Sequence, residues 1–297
     1  MSNDNIYKAR KQRRTAQHPI RGVDYQVNLW GDQGDPLFVF LHGWGDCGAT
    51  FQFVIDELQK NWFVVAPDMR GFGGSKADAD SFWFPDYLAD LDRLLGIYSP
   101  DTPVRLVGHS MGANIAGLYA GSLPERVSAF ANVEGFGLKD SNPADAPQNY
   151  RRWLEGVREP SAFSTYADFS GLAKRIQKNS PRMTALRAEF AARCWGYDAG
   201  GRVHLHANAR HKLPNAVMYR RGESEACWRQ ITAKILLIGG GDSEFQRAVD
   251  ARLDSGNLDL PFPNAGSVII DDAGHMLHFE APAALAEHLE SFLAKTL

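Results

Sequence analysis

Cysteine is scarce in this chain of 297 residues: Cys47, Cys194 and Cys227 are odd in number, widely spaced and contain no C-x-x-C pair. That excludes a disulfide framework, a cysteine-built zinc site and a dithiol redox centre, and the three read as reduced thiols of a cytoplasmic protein. A small, part-buried thiol accounts for Cys47 better than a second nucleophile does. Charge of one sign is also nearly absent: the net charge is −3 at pH 7, too small for the footprint of a nucleic-acid-binding protein. No apolar run reaches the roughly 20 residues that cross a bilayer, so no membrane span is expected. Residues 1–19 carry Lys8, Arg10, Lys11, Arg13 and Arg14 without an apolar stretch behind them, which is unlike a secretory signal. They read as a polar, basic, solvated tail. Repeats and low-complexity tracts are missing as well. With 44% apolar and 23% charged residues, the chain suits one α/β domain carrying an insertion, or two small domains.

What is present is an alternation of short apolar runs with helical periodicity. Strands are predicted at 37–41, 63–66, 104–107 and 127–133, with helices at 51–58, 87–97 and 114–123 between them. Near-continuous apolar strands alternating with helices predict an α/β fold, a mostly parallel central sheet covered by helices on both faces. The pattern breaks over residues 138–226, where strand-like runs nearly vanish, aromatics scatter and helical segments such as 172–177 and 183–194 are separated by Pro and Gly. It resumes with strands at 234–238 and 268–270 and helices at 244–253 and 283–295. The expected organisation is a core of residues 20–137 and 227–297 interrupted by a mainly helical cap, 138–226. The cap holds 15 Lys+Arg against 9 Asp+Glu, an excess of 15 − 9 = 6. A basic lid over a site could favour an anionic substrate, but arginines on helical caps mostly face water, so a solvated surface is the expected reading.

Groups that bind or react collect beyond the carboxyl ends of parallel strands. After 104–107 comes Gly108-His109-Ser110-Met111-Gly112-Ala113, a G-x-S-x-G turn followed by a helix. In a turn this tight, side chains flanking the serine would collide with backbone, so the glycines present Ser110 outward as a nucleophile. Three other glycine-rich segments follow strands: His42-Gly43-Trp44-Gly45-Asp46, Pro67-Asp68-Met69-Arg70-Gly71-Phe72-Gly73-Gly74-Ser75 and Ala273-Gly274-His275-Met276. A serine hydroxyl needs an adjacent neutral imidazole to take its proton, and His275 suits that task. His278 reads as structural.

Together these segments resemble the α/β-hydrolase fold family, in its serine-nucleophile branch with a helical cap. The resemblance runs from about Ile20 to the end, and within the cap it holds only in position and character. It implies the chain order nucleophile, acid, histidine, filled here by Ser110, Asp242 and His275. Asp242 follows a strand through Gly239-Gly240-Gly241, a loop that lacks the Lys-Ser/Thr of a phosphate cradle. Glu134, at the end of the 127–133 strand, is the alternative acid, because some branches of the family place the carboxylate there; otherwise it orients the histidine loop or seats the cap. The resemblance assigns oxyanion donors to the backbone N–H groups of Met111 and Trp44.

The remaining polar residues take plainer roles. His42, Gly43 and His109 are expected to support the site loops, Asp68 and Arg70 to brace a loop as a pair, and Asp272 to sit in a turn. His204, His206 and His211 invite a metal reading, but alternation puts only the first two on one face with no third ligand fixed beside them, so no metal is expected. The expected function is acyl transfer to Ser110 from a small or medium ester, without cofactor, in a monomer or homodimer. A C–C bond, thioester or peracid-type substrate would use the same residues, and a ligand-binding protein that kept only the fold is the reading from another class.

Overall fold

Apolar strands without a polar face require helices on both sides of the sheet, and the chain supplies them. The computed structural model describes residues 6–244, 246, 247, 250 and 261–297. Its strands are β1 (Arg14–Ile20), β2 (Val23–Trp30), β3 (Leu37–Leu41), β4 (Phe63–Pro67), β5 (Val104–His109), β6 (Val127–Val133), β7 (Gly196–Ala199), β8 (Arg202–Leu205), β9 (Lys234–Gly240) and β10 (Gly266–Ile270). Eight of them form one sheet in the order β1-β2-β4-β3-β5-β6-β9-β10. From β4 to β10 every pairing is parallel, while β1 with β2 and β2 with β4 are antiparallel.

The pleat divides each strand between two cores. Phe38, Phe40, Val64, Val107 and Ala131 pack with α1 (Gln52–Ile55) and with Leu285, Leu289 and Leu293 of the C-terminal helix Pro282–Ala294. Val39, Leu41, Val65, Leu106 and Phe130 pack with Leu91, Leu94 and Leu95 of α2 (Phe84–Tyr98) and with Ile115, Ala116 and Tyr119 of α3 (Met111–Ser122). Each Val, Leu, Ile or Phe among these contributes on the order of 1.5–3 kcal/mol by leaving water. The fold is thus the expected α/β architecture, with a mostly parallel sheet between helical layers.

The boundaries differ from expectation in two places. Residues 1–19 are not a solvated tail throughout: Arg14–Ile20 is the edge strand β1, turned onto β2 through Arg21 and Gly22, whose φ values of 46° and 77° belong to a type I′ hairpin. Upstream, the Tyr7 hydroxyl donates to Asp56 at 2.8 Å and its ring meets Phe53 edge-on at 4.9 Å. An edge strand made largely of polar and small residues and a proline has the composition of a loop, which is why this sequence does not stand out.

The second difference concerns the insertion between β6 and β9. It contains α4 (Ala146–Arg158), α5 (Phe169–Asn179), α6 (Ala185–Trp195), the β7–β8 hairpin and α7 (Arg221–Trp228). A boundary at residue 226 would cut α7, whose Trp228 is buried in the same core as Phe130 and Tyr119. The insertion packs on the sheet domain through Leu172, Ile176, Met183 and Ala192 against Phe53 and Phe279. The helix expected at 244–253 lies largely outside the described residues. No helix among the described residues is long and apolar enough to cross a membrane.

Candidate active site

Ser110 stands between β5 and α3 with φ 52° and ψ −114°, a conformation that side chains with a Cβ rarely adopt. Two features hold it there. Its N–H donates to Val133 O at 2.8 Å, continuing the β5–β6 ladder one residue further. A Cβ at Gly112 would lie 2.3 Å from Leu41 O, and one at Gly108 would lie 2.5 Å from Ala113 N, so the turn closes only with glycine at both positions.

His275 enters from the loop after β10. Its Nε2 is 3.0 Å from Ser110 Oγ, and its Nδ1 is 3.1 Å from Glu134 Oε2. With the carboxylate as acceptor, Nδ1 carries the proton and Nε2 offers its lone pair to the serine hydroxyl. Glu134 sits one residue beyond β6 with φ 59°, a kink that lifts its side chain off the strand. It is wholly buried, and it accepts hydrogen bonds from Gly240 N at 2.7 Å and Ser243 Oγ at 2.5 Å. Gly240 serves Glu134 through its N–H, and glycine is needed there because a Cβ would lie 2.5 Å from Ala273 O.

Asp242, expected as the acid, is placed differently. Its side chain is 50% exposed and its carboxylate pairs with Arg182 from the insertion. Arg182 also approaches the buried Glu280 at 3.7 Å, and Glu280 accepts from Gly274 N at 2.7 Å. The position at a strand end is as predicted, but a cation supplied from a distant part of the chain turns the carboxylate away from the imidazole.

Met111, as the first residue of α3, has no preceding helical turn to accept its N–H. Met111, Trp44, Ser110 and Glu134 line one cavity of about 270 Å³ together with Leu213, Pro214 and Asn215 of the insertion. A second cavity of about 370 Å³ lies on the other side of Trp44, walled by Cys47, Leu172, Cys194, Trp195 and Phe279.

The supporting residues resolve individually. His42 donates from Nδ1 to Gly43 O and accepts Met69 N–H at Nε2, both at 2.8 Å, so it staples two site loops. His109 donates from Nε2 to His275 O at 2.8 Å, fixing the backbone of the histidine loop. Gly43 permits this packing, since a Cβ there would lie 2.9 Å from His109 Nδ1. Asp68 and Arg70 do not pair with each other: Asp68 accepts from Asn28, Gln26, Gly48 N and Gly74 N, whereas Arg70 pairs with Asp90 at 2.7 Å. Asp272, with φ 53°, occupies a turn.

One cluster was not anticipated from sequence. Asp46, wholly buried, accepts from His278 Nε2 at 3.0 Å, Thr50 Oγ1 at 2.8 Å and Trp195 Nε1 at 2.7 Å. Burial raises its pKa, but the His278 contact and the other donors overcome this and hold the carboxyl at about 2. The only signal was the Asp of the His42–Asp46 loop. Asp46, His109 and His278 are also the one group among the described residues whose candidate metal-binding atoms lie within 4.8 Å of one another. His204 and His206 lie against Tyr197, and His211 stacks between Phe72 and Phe82 at 3.8 and 3.7 Å; the three do not form such a group.

Burial lowers the pKa of His42, His109 and His211, the last to about 3. An imidazole kept neutral when folded but protonated near pH 6.5 when unfolded makes the unfolded state bind more protons, so stability falls as pH falls below 6.5. The expected loss is up to about 1.4 kcal/mol per pH unit for each histidine. Urea unfolding at pH 7.5, 6.5 and 5.5 measures it, and an unchanged unfolding free energy across that range would show that these side chains protonate in the folded state.

Comparison with known proteins places this geometry in context. Residues 36–282 match the family model described as alpha/beta hydrolase fold. A serine hydrolase-like protein of Danio rerio is 22% identical over 286 residues, covering 93% of this chain and 86% of that protein. The 3-hydroxybutyrate-oligomer hydrolase of Cupriavidus necator is 27% identical over 277 residues, covering 86% and 88%. Among solved structures, the thioesterase domain from the curacin biosynthetic pathway superposes with a TM-score of 0.84 at 24% identity, covering 94% of this chain and 99% of that domain.

Proposed function

The chain belongs to the α/β-hydrolase fold family and is a hydrolase, and from that premise we propose that it cleaves a small or medium carboxylic ester through an acyl-enzyme on Ser110. The observation that carries this reading is the unbroken line Ser110 Oγ, His275 Nε2, His275 Nδ1, Glu134 Oε2, with contacts of 3.0 and 3.1 Å. In the first step Ser110 Oγ attacks the ester carbonyl while His275 Nε2 takes the hydroxyl proton. Glu134 holds the imidazole tautomer and stabilises the imidazolium. The carbonyl oxygen becomes an oxyanion near the N–H groups of Met111 and Trp44; each such donor contributes on the order of 10²–10³ in rate, and the positive end of the α3 dipole adds to them.

Collapse of the tetrahedral intermediate breaks the bond to the alcohol oxygen, which takes the proton from His275. The acyl group stays on Ser110. Water then replaces the alcohol, gives a proton to His275 and attacks the acyl carbon, and the acid leaves as Ser110 recovers its proton. None of these steps calls for a metal or an organic cofactor. The insertion, acting as a cap over both cavities, sets which acyl and alcohol groups fit.

A fluorophosphonate probe tests the reading directly. The expected product is one covalent adduct per chain on the peptide containing Ser110, located by mass spectrometry. Failure to label, or an adduct confined to another residue, would overturn it.

A further inference from the structure

Among the residues lining the 270 Å³ cavity of Ser110, Arg210 is the one lysine or arginine and Glu134 the one carboxylate, and Glu134 is already committed to His275, Gly240 and Ser243. Arg210 lies on the single turn Ala209–Lys212, and its backbone is clamped on both sides. Asn208 accepts Arg210 N–H at 2.9 Å, donates through Nδ2 to Ala77 O at 2.8 Å, and donates its own N–H to Gly71 O at 2.8 Å. On the other side the His211 ring is held between Phe72 and Phe82. The insertion thus fixes one cation against the sheet domain at the edge of the cavity.

That guanidinium is incompletely satisfied. Its Nη1 and Nη2 reach Asp78 and Asp80 at 3.4 Å each, and these carboxylates are 101% and 69% exposed. Ion pairs this long and this exposed are weak, because water screens both partners. Its Nε is buried and has no hydrogen-bond acceptor. A buried N–H left without an acceptor is destabilising, and the guanidinium edge that carries the two weakly held Nη groups matches the two oxygens of a carboxylate.

We propose that Arg210 receives a carboxylate at the far end of the acyl chain, so that the site prefers monoesters of dicarboxylic acids to uncharged esters of the same length; this rests on the acyl-enzyme reading of Ser110. In this arrangement the carboxylate displaces the weak contacts to Asp78 and Asp80, and the ester carbonyl is left at Ser110. A permanent charge suits that purpose, because arginine stays protonated at any working pH.

The test compares mono-(4-nitrophenyl) adipate with 4-nitrophenyl hexanoate, which differ only in the terminal carboxylate. Wild-type protein is expected to favour the adipate in kcat/KM by about tenfold or more. Arg210→Gln should cut that ratio at least tenfold, chiefly through the KM of the adipate, Arg210→Lys should recover part of it, and D78N/D80N should raise it by freeing the guanidinium. A ratio near one in the wild type, or a ratio unchanged by Arg210→Gln while both esters slow equally, would overturn the proposal. The fluorophosphonate adduct at Ser110 separates the two levels of inference. Labelling with no charge preference overturns the Arg210 assignment alone, whereas no labelling and no hydrolysis of either ester overturns the acyl-enzyme reading and this proposal with it.

Discussion

Glu134→Gln is expected to lower kcat for ester hydrolysis by about 10⁴-fold, the scale seen when the acid of a serine–histidine pair becomes an amide. Glutamine keeps the size and the buried position, so the chain should fold. What it loses is the ability to accept a proton donor at both oxygens. Glu134 accepts from three groups, His275 Nδ1, Gly240 N and Ser243 Oγ. An amide that keeps its oxygen at the Oε1 position for Gly240 N–H puts its NH₂ where Oε2 met both Ser243 Oγ and His275 Nδ1, favouring the tautomer with the proton on Nε2, which cannot take the proton of Ser110. Asp242→Asn removes only an exposed ion pair to Arg182 and should leave kcat within about fivefold. Steady-state kinetics on 4-nitrophenyl butyrate, with circular dichroism to confirm folding, compares the two variants; a larger loss from Asp242→Asn would return the acid to that position.

Asp46→Ala should produce the largest loss of stability, about 3–5 kcal/mol, because it leaves three donors without their acceptor, each costing about 1–3 kcal/mol when buried. His278 and Asp46 are each about 1% exposed, with 3.0 Å between Nε2 and Oδ2. Alanine leaves His278 without an acceptor in the core, and it also strands the Thr50 hydroxyl and the Trp195 indole N–H. The effect should reach the cap as well as the sheet domain, because Trp195 belongs to α6. Denaturant unfolding at pH 7 measures the loss. A second substitution, His278→Leu, in the Asp46→Ala background should recover at least about 1 kcal/mol, since coupled neighbours are not additive. A loss below about 1 kcal/mol in the single variant would mean that the buried carboxylate has no net effect.

The sheet, the serine turn and the histidine loop were legible because each imposes a local constraint: apolar runs for buried strands, and glycine where backbone or Cβ would otherwise collide at Gly108 and Gly112. Which carboxylate meets His275 was not. Glu134 and Asp242 both follow strand ends, and local sequence does not distinguish them. What separates them is tertiary: the left-handed φ of Glu134, the Gly240 N–H that meets it, and Arg182 arriving from the insertion to occupy Asp242. β1 was hidden for a different reason: its side chains are too polar to read as a buried strand, and pairing through the Arg21-Gly22 turn is what orders it, whereas β2 does alternate Val23, Tyr25, Val27 and Leu29 with polar residues. Asp46 likewise looked like one more loop residue until Thr50, Trp195 and His278 converged on it.

Ser110 and Glu134 sit one residue beyond β5 and β6, adjacent strands near the middle of the sheet whose ladder pairs His109 with Val133. His275 instead arrives on a loop after β10, the last strand of the sheet order. Edges and loops open at lower free energy than central ladders. On warming, His275 should therefore part from Ser110 and Glu134 before either of them moves. Heat would first produce a folded but idle protein, with slow-exchanging amides along β5 and β6, and activity should return as soon as the temperature drops.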